Sequence, residues 1–110
     1  MNIKLVQKIK KDGNSCRKSA KVLKELEKLN LLDKIDEIIA ADERQSSSEG
    51  FDLAKKHNVS SAPFFIVENE GKTKIYTAYY RFMKDVFNIV VSEDDEISEM
   101  MAQNPELDYI

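Results

Sequence analysis

The sequence predicts a mixed α/β domain with the element order β-α-β-α-β-β-α. Three features predict this order: partly alternating strand patterns, amphipathic helix patterns between them, and a glycine-containing hairpin signal near residue 70. A strand–helix–strand unit requires parallel strands and a right-handed crossover, whereas a hairpin requires antiparallel strands. We therefore expect a four-stranded mixed sheet with helices on both faces.

The first half of the chain supplies two strands and one helix. Residues 3–9 partly alternate apolar and polar side chains and predict a strand, which is followed by a polar turn over residues 10–15. A helix is expected from about Cys16 to Asn30, with valine and leucine side chains along one face. The second strand is expected over residues 35–41.

The second helix is expected from Ser48 to His57. A serine followed by acidic residues suits a helix start, because both satisfy or attract the free backbone N–H groups there. Asn58 can end this helix in a left-handed conformation. A short buried strand then follows over residues 64–67.

The last part of the domain combines a hairpin and a helix. The turn signal of residues 69–72 precedes a returning strand over residues 74–78. From Tyr79 onward the apolar positions follow helical spacing and predict the third helix. These positions are Tyr79, Phe82, Met83, Val86, Phe87 and Val90.

Chain length and composition limit the class of protein that this sequence can form. A chain of 110 residues, 42% hydrophobic and 34% charged, suits one compact domain. It contains no apolar run near the roughly 18 residues that cross a bilayer, and its first residues do not resemble a signal peptide. We therefore expect a cytoplasmic monomer that does not bind membranes.

The charge is divided unevenly along the chain. Residues 92–110 carry seven acidic residues and no lysine or arginine, so the net charge of −3 leaves +4 on residues 1–91. We predict a domain over 1–91 and an acidic C-terminal tail over 92–110 that is flexible or docks. The basic residues are too interleaved with acids to predict nucleic-acid binding.

Cys16 is the single cysteine of the chain, so no internal disulfide can form, and one thiol fits a reducing compartment. A lone cysteine can be a small buried hydrophobe or a reactive thiol. At the start of a helix, the helix dipole and nearby cations lower a thiol pKa. The basic residues close in sequence are Lys8, Lys10, Lys11, Arg17, Lys18 and Lys21.

Two segments resemble the thioredoxin superfamily. Cys16-Arg17-Lys18-Ser19 is similar to that family's Cys-x-x-Cys site with serine in the last place, a CxxS monothiol site. Residues 52–67, where a helix ends, Val59 follows and Pro63 opens a strand, resemble the run that contains the family's cis-proline. The resemblance covers about residues 2–91 and implies a thioredoxin-like fold.

The resemblance also implies a site. It places a cis-proline loop beside the cysteine, where the backbone of Ala62 pairs with an extended substrate; alternatively, Pro63 only begins a strand. Ser19 can donate a hydrogen bond to a thiolate but cannot act as a resolving thiol. The predicted site comprises catalytic Cys16 and Ser19, with Arg17, Lys18, Ala62 and Pro63 binding substrate. One cysteine and one histidine do not make a metal site.

Two functions compete. The first is a redox protein, a monothiol disulfide oxidoreductase that exchanges disulfides or removes glutathione through Cys16, with a protein thiol, a protein disulfide or glutathione as partner. The second is a non-catalytic thioredoxin-fold module that binds proteins; it is favoured by Ser15, Lys10 and Ser19, which replace the family's tryptophan, buried acid and second cysteine. In either case the acidic tail can fold onto the basic residues and mask the thiol.

Overall fold

The computed structural model describes residues 1–45 and 47–91, and the tail predicted over 92–110 lies outside them. It contains the predicted order of strands and helices plus one short 3₁₀ helix. The elements are β1 (Asn2–Ile9), α1 (Arg17–Lys28), the 3₁₀ helix (Leu32–Lys34), β2 (Glu37–Asp42), α2 (Glu49–Lys56), β3 (Phe64–Asn69), β4 (Lys72–Tyr76) and α3 (Tyr79–Phe87).

The four strands form one mixed sheet in the order β2-β1-β3-β4. β1 and β2 are parallel, whereas β1 with β3 and β3 with β4 are antiparallel. The predicted four-stranded mixed sheet is therefore confirmed. Within the described ranges, no helix is both long and apolar enough to span a bilayer.

Each face of the sheet has its own apolar core. Successive strand side chains point to opposite faces, so neighbours on β1 belong to different cores. Leu5 packs with residues of α1 and α3, including Val22 and Phe82, while Val6 packs with Ala54 of α2. On the first face the ring of Phe82 stacks on Phe65, with 3.7 Å between ring centroids. The helices therefore cover both faces.

Helix α2 lies unusually close to strand β2. A β-carbon on Gly50 would lie 2.4 Å from the backbone nitrogen of Ala41 and 2.5 Å from the carbonyl oxygen of Ala40. Only a residue without a side chain fits at this contact, so the spacing between α2 and the sheet depends on Gly50.

The last helix is shorter than its apolar stripe predicted. Asn88 adopts a left-handed conformation with φ of 57°, and the N–H of Ile89 donates to the carbonyl of Met83 at 3.1 Å. The left-handed residue turns the chain out of the helix. Val90, predicted as the last position of the helical stripe, is 84% exposed, and Ile89 and Val91 pack against the core instead.

Strands β2 and β4 are shifted relative to the prediction. Before β2, the side chain of Asp36 accepts the N–H of Ile3 at 2.7 Å in place of a backbone carbonyl, and the β1–β2 register begins at Glu37. Glu70 and Gly71 both have positive φ, 53° and 77°, and form a two-residue turn that lets β4 begin at Lys72.

Candidate functional site

Three chain segments meet at the edge of the sheet where β1 ends. The parallel strands β1 and β2 both end there, and antiparallel β3 begins there. The register pairs Val6 with Phe64, so Ala62 lies near the level of Lys8. The N–H of Cys16 donates to the carbonyl of Lys8 at 2.9 Å. The structure therefore brings the cysteine and the Ala62–Pro63 segment to the same edge.

Cys16 is the N-cap residue of α1. Its backbone is extended, with φ −64° and ψ 160°, and its sulfur accepts the N–H of Ser19 at 3.4 Å. A cysteine sulfur here takes the place of the serine or aspartate oxygen that usually caps a helix. The sulfur thus lies where free N–H groups and the positive end of the helix dipole favour negative charge.

The hydroxyl of Ser19 provides a second contact to the sulfur. The thiol donates to Ser19 Oγ at 3.1 Å, and the same oxygen accepts the N–H of Lys8 at 3.0 Å. A hydroxyl carries one hydrogen that can rotate. When the thiol loses its proton, that hydrogen can turn toward the sulfur, so both the thiol and the thiolate have a partner.

Only some of the basic residues predicted around the thiol lie at the protein surface. Lys18 is 1% exposed and Lys8 is 8% exposed, whereas Arg17 is exposed. Lys18 is buried because it begins the inward stripe of α1 that continues through Val22 and Leu26 at helical spacing. Of the two side chains predicted to bind substrate, Arg17 is therefore the one that lies at the surface.

The remaining predicted site residues lie at the start of β3. Ala62 is 2% exposed and packs with Val6 and Phe64 of the α2-side core. Pro63 is buried as well, and the Ala62–Pro63 peptide bond is cis. The only histidine, His57, caps the C-terminal end of α2. In the part of the chain that the structure describes, no three His, Cys, Asp or Glu residues form a metal-binding group.

An ion pair at this edge was not predicted from the sequence. Asp42, the last residue of β2, accepts three hydrogen bonds from Arg44: from the backbone N–H at 2.9 Å, from Nε at 3.0 Å and from Nη2 at 2.9 Å. These bonds hold the pKa of Asp42 below its ordinary value and raise the pKa of Arg44. The spacing Asp-x-Arg directly after a strand is the signal that could have identified the pair.

The ion pair predicts an acid-sensitive contribution to stability. Because the folded protein lowers the pKa of Asp42, the contribution is present above about pH 4 and is lost as pH falls through the folded pKa. Urea unfolding from pH 6 down to pH 2 should show a smaller loss of stability in Asp42→Asn than in the natural protein. Asp33→Asn, an exposed replacement in the 3₁₀ helix, is the control and should leave the pH dependence unchanged. Equal pH dependence in the natural protein and Asp42→Asn would contradict this assignment.

Comparison with family models, with curated proteins and with solved structures finds no match to this chain. The functional interpretation therefore rests on the geometry of this edge and on the two segments that carry the family resemblance.

Proposed function

We propose that the chain is a thioredoxin-like domain that performs monothiol thiol–disulfide exchange through Cys16. One observation carries the proposal. The sulfur caps α1 within 3.4 Å of the Ser19 N–H nitrogen and 3.1 Å of Ser19 Oγ, at the sheet edge that also holds the Ala62–Pro63 segment.

The architecture supports the fold assignment. A sheet of order β2-β1-β3-β4, with one parallel and two antiparallel pairs, has the topology expected for a thioredoxin-like domain. Two helices cover one face and one covers the other. The cis bond before Pro63 has the conformation that the resemblance implies.

The chemistry follows from a single thiol. The Cys16 thiolate attacks one sulfur of a substrate disulfide, forming a mixed disulfide and releasing the other sulfur as a thiolate. Ser19 cannot resolve this intermediate because it has no thiol. An external thiolate, such as glutathione, attacks the substrate sulfur of the mixed disulfide, forms a new disulfide with it and releases the Cys16 thiolate.

Deglutathionylation is a special case of the same exchange. The Cys16 thiolate attacks the glutathione sulfur of a protein–glutathione mixed disulfide, so the protein leaves as a thiol and glutathione remains on Cys16. A second glutathione thiolate then displaces it as oxidised glutathione. The exposed Arg17 next to the cysteine suits the carboxylates of glutathione or of an acidic partner.

The test is the rate of alkylation of the reduced protein by iodoacetamide from pH 4 to pH 10. Because Cys16 is the only cysteine, every modified thiol reports on this residue. We expect a midpoint below the ordinary thiol value of about 8.5. Ser19→Ala should raise the midpoint by about one pH unit, because a hydrogen bond to a charged group contributes about 1.5–3 kcal/mol.

Ser15→Ala is the matched control for the hydroxyl. Ser15 Oγ donates to Gln7 at 3.0 Å and is a neighbour of Cys16 in sequence. Its removal should leave the midpoint unchanged. A natural midpoint at or above about 8.5, or equal midpoints in the natural protein and Ser19→Ala, would argue against an activated thiol.

A second function is favoured by the burial of Cys16, which is 1% exposed. A buried thiol suits a protein-binding module in which the cysteine only packs and caps α1. In that case the natural protein and Cys16→Ser should retain the same partners at equal yield, with or without a reductant. A monothiol exchange protein should instead release its covalent partners when a reductant is added, and Cys16→Ser should capture none of them without one.

A further inference from the structure

The side chain of Arg44 connects two loops at the edge of the sheet. Arg44 follows β2, and its guanidinium lies against the loop that leads from β1 to Cys16. A β-carbon on Gly13 would lie 3.0 Å from Arg44 Nη1, so the guanidinium packs directly on the backbone of Gly13. Gly13 has a positive φ of 89° and no side chain, and both properties permit this contact.

The other side of the guanidinium is held by Asp42. Nε and Nη2 bind the two carboxylate oxygens of Asp42 at 3.0 Å and 2.9 Å, in the bidentate arrangement that a planar guanidinium favours. The adjacent N–H of Glu43 donates to the carbonyl of Ile9 at 2.9 Å. Although the side chain of Arg44 is 53% exposed, its orientation is therefore set by several contacts.

Short contacts continue from Gly13 to the cysteine. The N–H of Gly13 donates to the carbonyl of Lys10 at 2.9 Å, and the N–H of Lys10 donates to the carbonyl of Asn14 at 2.8 Å. Ser15 then bridges to Ile9. The turn is therefore closed on itself and joined to β1 at its end, so a short run of backbone contacts connects Gly13 to the start of α1.

We propose that Arg44 is a positioning residue for Cys16, bracing the loop of residues 10–15 against β2 and thereby holding the sulfur on the N–H and hydroxyl of Ser19. A role of Arg44 in thiol–disulfide exchange rests on the proposed function. An effect of Arg44 on the alkylation rate of Cys16 does not rest on it, because the position of the sulfur affects that rate in either case.

The experiment measures two quantities for Cys16 in full-length variants, the pH midpoint of iodoacetamide alkylation and the limiting rate above that midpoint. In Arg44→Ala we expect a limiting rate at least threefold higher, because the loop opens more often, and a midpoint higher by about half a unit, because the sulfur caps α1 less often. Lys4→Ala, which breaks the Lys4–Glu68 pair of 3.5 Å at the start of β1, should change neither quantity.

Arg44→Lys distinguishes the packing contacts of the guanidinium from its positive charge. Lysine keeps the positive charge but lacks the planar fork that binds Asp42 and covers Gly13. We expect it to behave like Arg44→Ala. Natural values in Arg44→Lys, or no change in either variant, would overturn the proposal.

Amide exchange distinguishes opening of the loop from opening of the whole domain. Amide exchange of β3 reports on global opening, and in Arg44→Ala it should accelerate less than alkylation does, because loss of the ion pair lowers global stability as well as freeing the loop. Exchange accelerated as much as alkylation would overturn the positioning role. If the natural midpoint is near 8.5 but Arg44→Ala raises the limiting rate, the exchange proposal fails while the bracing role stands.

Discussion

Gly50→Ala should strongly destabilise the protein. In an ordinary helix the same change would stabilise by roughly 0.5–1 kcal/mol, because glycine loses more backbone entropy on folding. Here the new methyl group would lie 2.4 Å from Ala41 N and 2.5 Å from Ala40 O, and a strand backbone cannot yield as a flexible side chain can. We expect a loss of about 3 kcal/mol, typical of overpacking, measured by urea unfolding.

Gly71→Ala is the control for this result. Gly71 has a positive φ of 77°, but nothing lies within 4 Å of its added β-carbon. Its cost should therefore come from backbone conformation alone, about 1–2 kcal/mol. If Gly50→Ala were as stable as the natural protein, helix α2 would not pack on β2 as described.

Ser19→Cys should convert the monothiol site into a dithiol site. Ser19 Oγ lies 3.1 Å from Cys16 Sγ, and a sulfur in its place needs only a small rotation to reach the S–S bond length of about 2.05 Å. We expect mild oxidation to remove both thiols without producing a dimer. The oxidised monomer should be lighter by two hydrogen atoms, and reduction should restore two titratable thiols.

The dithiol variant should also exchange disulfides differently. The introduced thiol can attack the mixed disulfide on Cys16 and release the reduced substrate, so turnover requires no external thiol for that step. Ala20→Cys is the matched control, because this neighbouring position on α1 is exposed. It should keep both thiols or form intermolecular disulfides. Two free thiols in oxidised Ser19→Cys would contradict the site geometry.

Local patterns predicted much of the architecture. The end of α2 follows from Asn58, which has a positive φ of 60°, and the hairpin follows from Gly71. The end of α3 did not follow from its apolar stripe, because Asn88 ends the helix before Val90 reaches the core. A periodic pattern records which residues can face a core, but the capping residue decides where the helix stops.

The candidate site was predicted in part. Cys16 and Ser19 stand one helical turn apart, so their contact follows from helix geometry once the helix start is known. The burial of Lys18 did not follow, because that depends on which stripe of α1 faces the sheet. The pairing of Asp42 with Arg44, and the contact of Arg44 with Gly13, also required the folded arrangement of two loops.

By itself, the sequence determined the order of the elements, the mixed character of the sheet and the position of the only cysteine at the start of a helix. These properties depend on neighbours within a few residues, where periodicity, caps and turn residues act. The tertiary structure alone decided that Cys16 is buried and that Arg44 reaches Gly13. Such contacts join residues far apart in the chain, so strand register and helix packing decide them.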